Sequence, residues 1–74
     1  MMKVNDVVQF NENHKWCGCL GIVTKIKDCG KNGIRYQVVV EIPQKGSAYI
    51  FVMSTENALE LIGTAVMVPR REQE

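Results

Sequence analysis

The run Cys17-Gly18-Cys19-Leu20-Gly21-Ile22-Val23 constrains the fold of this chain more than any other stretch. Two glycines stand three apart among Leu, Ile and Val, directly after an alternating segment and a short polar loop. Glycine inside a strand marks a bulge, a corner or a close approach of another backbone. A pair of them with β-branched neighbours therefore describes a small, strongly curved sheet rather than a cradle for a ligand. The chain has 74 residues, which allows one domain, and a domain of this size buries only about 60% of the surface that its unfolded form exposes. Its core must be compact.

The strands follow from period-two patterning. Over residues 4–10, Val4, Asp6, Val8 and Phe10 share one face, with Asp6 as its polar interruption. Residues 11–16 are polar and turn-rich apart from Trp16 and read as an exposed loop. Residues 19–27 form the second strand, and the order of Leu20, Ile22, Val23 and Ile26 breaks strict alternation, which implies a bulge near Val23 or Thr24. Residues 28–33 carry two glycines and an Asn-Gly pair, the chemistry of a hairpin turn with positive φ. Residues 35–42 then alternate clearly, with Tyr36, Val38, Val40 and Ile42 on one face and Arg35, Gln37, Val39 and Glu41 on the other.

A turn is expected over residues 43–46. Residues 48–53 form an apolar strand rich in aromatic and β-branched side chains, read as covered on both faces. Between Ser54 and Ala58 there is capping chemistry but no long apolar periodicity, which predicts a single tight helical turn. Residues 59–62 return to strand character, and residues 65–68 would add a sixth strand. The domain thus spans 1–68, and 69–74 is a charged tail. The fold class is all-β: a small barrel of five or six strands with one short helical turn.

Composition narrows the function classes. A hydrophobic content of 46% with 23% charged residues is that of a folded domain. Nine basic against eight acidic residues give a net charge of +1, so nucleic-acid binding would need a local patch rather than a global field. Three cysteines are an odd number, and Cys17 and Cys19 are too close to bridge without strain. That usage suits reduced thiols. No apolar run approaches the roughly 18 residues needed to cross a bilayer, and Met1 to Asp6 lack the apolar region of a signal peptide. A cytoplasmic location is the expectation.

The order of these elements resembles the Src-homology-3-like small barrels, closest to their KOW and Tudor-like branch. Asp6, Val8 and Phe10 carry the likeness, then Gly18, Gly21, Val23 and Ile26, then Tyr36, Val38 and Val40, then Tyr49 and Phe51, and finally Leu59, Glu60, Leu61 and Ile62. Free-standing chains of this size and pattern are similar to small accessory proteins of bacteriophages, prophages and plasmids. The resemblance implies a non-catalytic binding or adaptor module. KOW modules touch RNA or a protein partner through the loops around their first two strands, and here that segment is His14-Lys15-Trp16-Cys17, with one lysine where such modules place several basic and glycine residues.

His14, Lys15 and Trp16 are the candidate partner-binding residues. A single Trp in a polar loop suits a protein interface or a stacking contact with a base, and its alternative role is a lid over the open end of the barrel. Lys25, Lys27, Lys31 and Arg35 surround the second turn and are the candidate nucleic-acid contacts, or else a solvated hairpin whose charges block edge pairing. His14, Cys17, Cys19 and Cys29 have the donor types of a zinc site, but the spacing is not that of a C-x₂-C knuckle, and buried or half-buried thiols are the preferred reading. His14 with Cys17 or Cys19 is the only catalytic pair the residue types permit, and nothing identifiable orients the imidazole. No catalytic residue, metal or cofactor is expected. The protein is read as a protein-interaction module, with weak nucleic-acid binding as the alternative and metal binding or catalysis as a remote one.

Overall fold

The computed structural model describes residues 2–42 and 48–65. It contains five strands, β1 (Asp6–Phe10), β2 (Leu20–Asp28), β3 (Ile34–Ile42), β4 (Ala48–Ser54) and β5 (Leu59–Thr64), with short 3₁₀ turns at Gly30–Asn32 and Glu56–Ala58. All pairings are antiparallel and the strand order is β4-β3-β2-β1-β5. The all-β class and the helical turn within residues 54–58 are as the sequence predicts. Among the described residues β4 and β5 are the two edges.

β2 is the strand on which the two halves of the sheet meet. Its first residues pair with β1, and Ile22 to Asp28 pair with β3. Gly21 lies where these halves join, and the space there explains the glycine. A Cβ built on it would stand 2.4 Å from Val38 Cγ1, 2.7 Å from the Val39 carbonyl oxygen and 3.2 Å from Val40 Cγ2. A carbonyl fixed in a ladder cannot move aside as a side chain can. The expected bulge follows two residues later, where the register with β3 shifts between Val23 and Lys25. Thr24 at that irregularity donates its hydroxyl to the Gln37 carbonyl at 3.2 Å. The other glycine of the motif, Gly18, precedes the strand and has φ +93°, a turn conformation that side chains rarely adopt.

One cluster fills the inward face: Met2, Val8, Phe10, Val23, Tyr36, Val38, Val40 and Leu59, with Trp16, Cys19, Ile34, Ile50 and Val52 packed against it. The members come from β1, β2, β3, β5 and the N-terminal turn, β4 adds the partly buried Ile50 and Val52, and the Tyr36 hydroxyl donates to Glu56 Oε1 at 3.4 Å, joining β3 to the turn that precedes β5. Fully burying a Val or Phe side chain stabilises by roughly 1.5–3 kcal/mol, so these few residues carry most of the folding free energy of so small a domain. The polar interruption Asp6 is buried as well, at 2% exposure. Its carboxylate accepts from the Lys3 backbone N–H at 2.7 Å and from the Thr64 hydroxyl at 3.2 Å, which ties the N-terminal turn to the end of β5.

Several boundaries differ from expectation for local reasons. β1 starts at Asp6 rather than residue 4, because Asn5 takes a left-handed φ of +79° and turns Val4 out to solvent. The β2–β3 connection holds a 3₁₀ turn, with Gly30 at φ +62°, Gly33 at φ +80° and the Asp28 carboxylate accepting from the Gly30 N–H at 2.9 Å. β4 is not covered on both faces, since Tyr49, Phe51 and Met53 point outward and are exposed. Ala65 donates its N–H to the Asn5 carbonyl at 2.7 Å. The rest of the expected sixth strand, residues 66–68, lies outside the described residues, as do the turn at 43–46 and the tail at 69–74.

Replacing Gly21 with Ala is expected to lower stability by about 1–3 kcal/mol, the cost of overpacking a filled site. At this size each kcal/mol lowers the melting temperature by roughly 4–8 °C. Gly63→Ala serves as the reference, because nothing lies within 4 Å of a Cβ there, and its melting temperature should stay close to that of the parent. Thermal unfolding of both variants checks the close approach.

Candidate binding surface

The alternation that buries Tyr36, Val38 and Val40 sends Arg35, Gln37, Val39 and Glu41 to the opposite, outward face of β3. The registers extend this face across the sheet. Arg35 lies beside Lys27, Gln37 beside Lys25 and Met53, Val39 between Ile22 and Phe51, and Glu41 beside Tyr49. Val7 continues the Ile22 row onto β1. The centre of the outward face is therefore apolar, its Lys27 end basic and its Glu41 end acidic.

Tyr49 and Phe51 are each 65% exposed and Met53 is 45% exposed. Leu20 at 55% adds to the patch on the far side of β3. A groove of about 370 Å³ runs between them, lined by Val7, Leu20, Gly21, Ile22, Val39, Glu41 and Tyr49. Gly21 contributes to both faces: the missing Cβ leaves room inward for the valines, and its backbone floors the groove outside. Scattered surface hydrophobics need no explanation, whereas a contiguous apolar stripe over four strands makes this face the candidate surface.

The sequence pointed to a different place, the loop holding His14, Lys15 and Trp16. The structure uses much of that loop for its own support. Asn11 donates its side-chain N–H to the Asn57 carbonyl and to Glu60 Oε2, both at 2.9 Å, and Asn13 donates to the same Asn57 carbonyl at 3.1 Å. These bonds fasten the loop to the 3₁₀ turn and to β5. The His14 ring packs on Phe10, with centroids 4.5 Å apart, and its Nδ1 accepts from the Trp16 backbone N–H at 3.0 Å. Nδ1 as acceptor places the neutral ring's proton on Nε2. Trp16 is half-buried against the core cluster, and Lys15 between them is exposed.

The four candidate basic residues are partly brought together. Lys25, Lys27 and Arg35 share the outward face, and Lys31 is exposed in the 3₁₀ turn at the tip of the same hairpin. Arg35 is half-buried, and its guanidinium donates to the Asn32 and Ile34 carbonyls, so it also braces the turn.

The thiols are not gathered. Cys29 follows β2 and Cys19 precedes it, and a strand of nine residues spans roughly 30 Å. Among the described residues no three His, Cys, Asp or Glu side chains are grouped so as to hold a metal ion. Cys19 is half-buried, as expected of a small hydrophobe, but Cys17 and Cys29 are exposed free thiols rather than buried ones. Elsewhere, burial pushes the Tyr36 phenol above its ordinary value, and the Glu56 carboxylate adds to that shift by opposing a second negative charge. Tyr36 is thus a neutral core residue whose hydroxyl serves as a donor. Among the described residues no helix is long and apolar enough to cross a membrane.

Sequence reasoning missed Tyr49, Phe51 and Met53 as surface residues. Ala48-Tyr49-Ile50-Phe51-Val52-Met53 is apolar at both parities, so period-two analysis alone does not say which side chains face out. The available signal was the neighbouring strand. Once β3 is oriented by its buried Tyr36, the hairpin register puts Tyr49, Phe51 and Met53 on the side of Glu41, Val39 and Gln37.

No protein-family model matches the chain, and neither a curated protein nor a solved structure matches it. The fold and the surface described above stand on their own geometry.

Trp16→Ala is expected to lower the melting temperature, because a large ring packed against the core is removed and leaves a gap. Lys15→Ala, at an exposed neighbour, should leave it within a few tenths of a kcal/mol of the parent. Thermal unfolding of the two variants distinguishes a structural Trp16 from one held free for a partner.

Proposed function

We propose that this chain is a non-catalytic binding or adaptor module of the Src-homology-3-like, KOW or Tudor-like kind, acting through contact with another protein chain. What supports the fold assignment is the sequence of elements: four consecutive antiparallel strands, a 3₁₀ turn, and a last strand that returns beside the first. The observation that carries the interaction reading is the outward row Tyr49, Phe51 and Met53 on an edge strand, continued by Val39, Ile22 and Val7. Large side chains exposed on a sheet present contact area on a backbone that is already ordered and has little of its own entropy left to lose on binding. The His14, Lys15 and Trp16 loop, at the other end of β1, is a second and smaller candidate contact. A role on a phage or another mobile element belongs to the same reading and rests on resemblance.

A second reading is favoured by one specific observation, the shared face of Lys25, Lys27 and Arg35 with Lys31 at the hairpin tip. Phosphate contacts by these four groups would make the protein a weak nucleic-acid binder whose affinity falls steeply with salt.

Amide NMR spectra recorded with short single-stranded and duplex nucleic acids, at low and then high salt, separate the two. The protein-contact reading expects no salt-sensitive shifts at Lys25, Lys27, Lys31 and Arg35. Shifts confined to those residues that vanish at high salt would replace it with the nucleic-acid reading.

A further inference from the structure

The apolar stripe on the outward face ends in opposite charges along the strand direction. Lys27 and Arg35 flank one end and Glu41 stands at the other, six residues along β3, or roughly 20 Å away. Between them lie Ile22, Val39, Phe51 and Met53. A surface that binds its own copy through a two-fold axis must be its own complement. Rotation about an axis running along the strands would place like ends together, Glu41 over Glu41 and Lys27 over Lys27. Rotation about an axis lying across the strands, at the level of residue 38, reverses the order and places Glu41 of each copy over the Lys27 and Arg35 end of the other.

We propose that the outward face of β2, β3 and β4 binds a second copy of this chain, sheet on sheet with strands antiparallel, about this cross-strand two-fold axis. The proposal deepens the protein-contact reading by naming the partner, and it rests on that reading. In this arrangement Phe51, level with Val39, meets Met53 of the second copy, level with Gln37, a sulfur–aromatic contact. Val39 lies over Gln37, and the groove beside Tyr49 receives side chains from the facing sheet. Aligned sheets pack about 10 Å apart, a distance that side chains of this size fill. The face is three strands wide at about 4.8 Å each, a footprint of some hundreds of Å², which is small beside the ~800 Å² per partner of standard interfaces. The dimer is therefore weak, and its charged ends set orientation more than affinity.

The test is sedimentation equilibrium of the full chain from low micromolar to about millimolar concentration, with circular dichroism to establish that each variant is folded. All the substituted side chains are exposed, so the fold should survive. The parent is expected to approach dimer mass at the top of this range. Phe51→Glu should remain monomeric. Glu41→Lys should weaken the dimer by about tenfold, since it sets like charges together at both ends of the interface, where Arg35 of the other copy lies opposite, and Lys27→Glu, one strand to the side, should weaken it less. The double variant Glu41→Lys, Lys27→Glu should recover part of the loss and bind more tightly than Glu41→Lys alone, because an opposite charge again stands beside the new one. A parent that is monomeric throughout overturns the proposal, as does a dimer unaffected by Phe51→Glu, which would place the contact elsewhere, such as the free edge of β4. Failure of the double variant to recover overturns the stated orientation. None of these results bears on the nucleic-acid titration, so the loss of self-association and the loss of the protein-contact reading are told apart.

Discussion

The absent side chain of Gly21 is the constraint on which the other features depend. β2 pairs with β1 at one end and with β3 at the other, and at the junction the backbone comes so close to Val38, Val39 and Val40 that no Cβ fits. This approach lets the valines of β3 share a core with Val8 and Phe10 of β1. Without it the two halves of the sheet would be held further apart, and the described residues form a single layer with no second one to cover the inward face. The bulge at Thr24 is the companion adjustment. It turns Val23 in and Lys25 out, so the same irregularity that completes the core also starts the basic end of the outward face.

That single layer explains how structure and surface divide along the chain. Inward positions hold valines, two buried aromatics and the satisfied Asp6. Outward positions on β2 to β4 hold apolar side chains that add nothing to the core and are graded from basic to acidic along the strands. The polar loop around His14, by contrast, is held by local contacts: Asn11 and Asn13 fasten it to the 3₁₀ turn, His14 packs on Phe10, and Trp16 leans on the core.

Much of the fold was legible in the sequence, because β1, β2 and β3 each have a clean chemical signature. Val8 and Phe10 alternate around a polar residue, the glycine run signals curvature, and Tyr36 to Ile42 separate into an apolar and a mixed face. The bulge was legible from the break in alternation at Ile22 and Val23. The start of β1 was not, since nothing in Val4-Asn5 announces that Asn5 will take a positive φ. The outward role of β4 was hidden for a different reason. A strand that is apolar at both parities carries no sign of its orientation, and only pairing with Glu41 and Gln37 supplies one. The basic candidates were found because charge is visible residue by residue. An apolar surface becomes visible only when the pairing of strands is known.

The close approach at Gly21, with the alternation of the strands, sorts the side chains into a closed inward face and a free outward one. The most direct measurement is a set of nuclear Overhauser contacts in the isotope-labelled protein. The account expects contacts from the Gly21 Hα protons to the Val38 and Val40 methyls, and none from the Tyr49 or Phe51 rings to Val8, Val23 or Val38. Ring contacts from Tyr49 or Phe51 to those core methyls, or no contact between Gly21 and Val38, would contradict it.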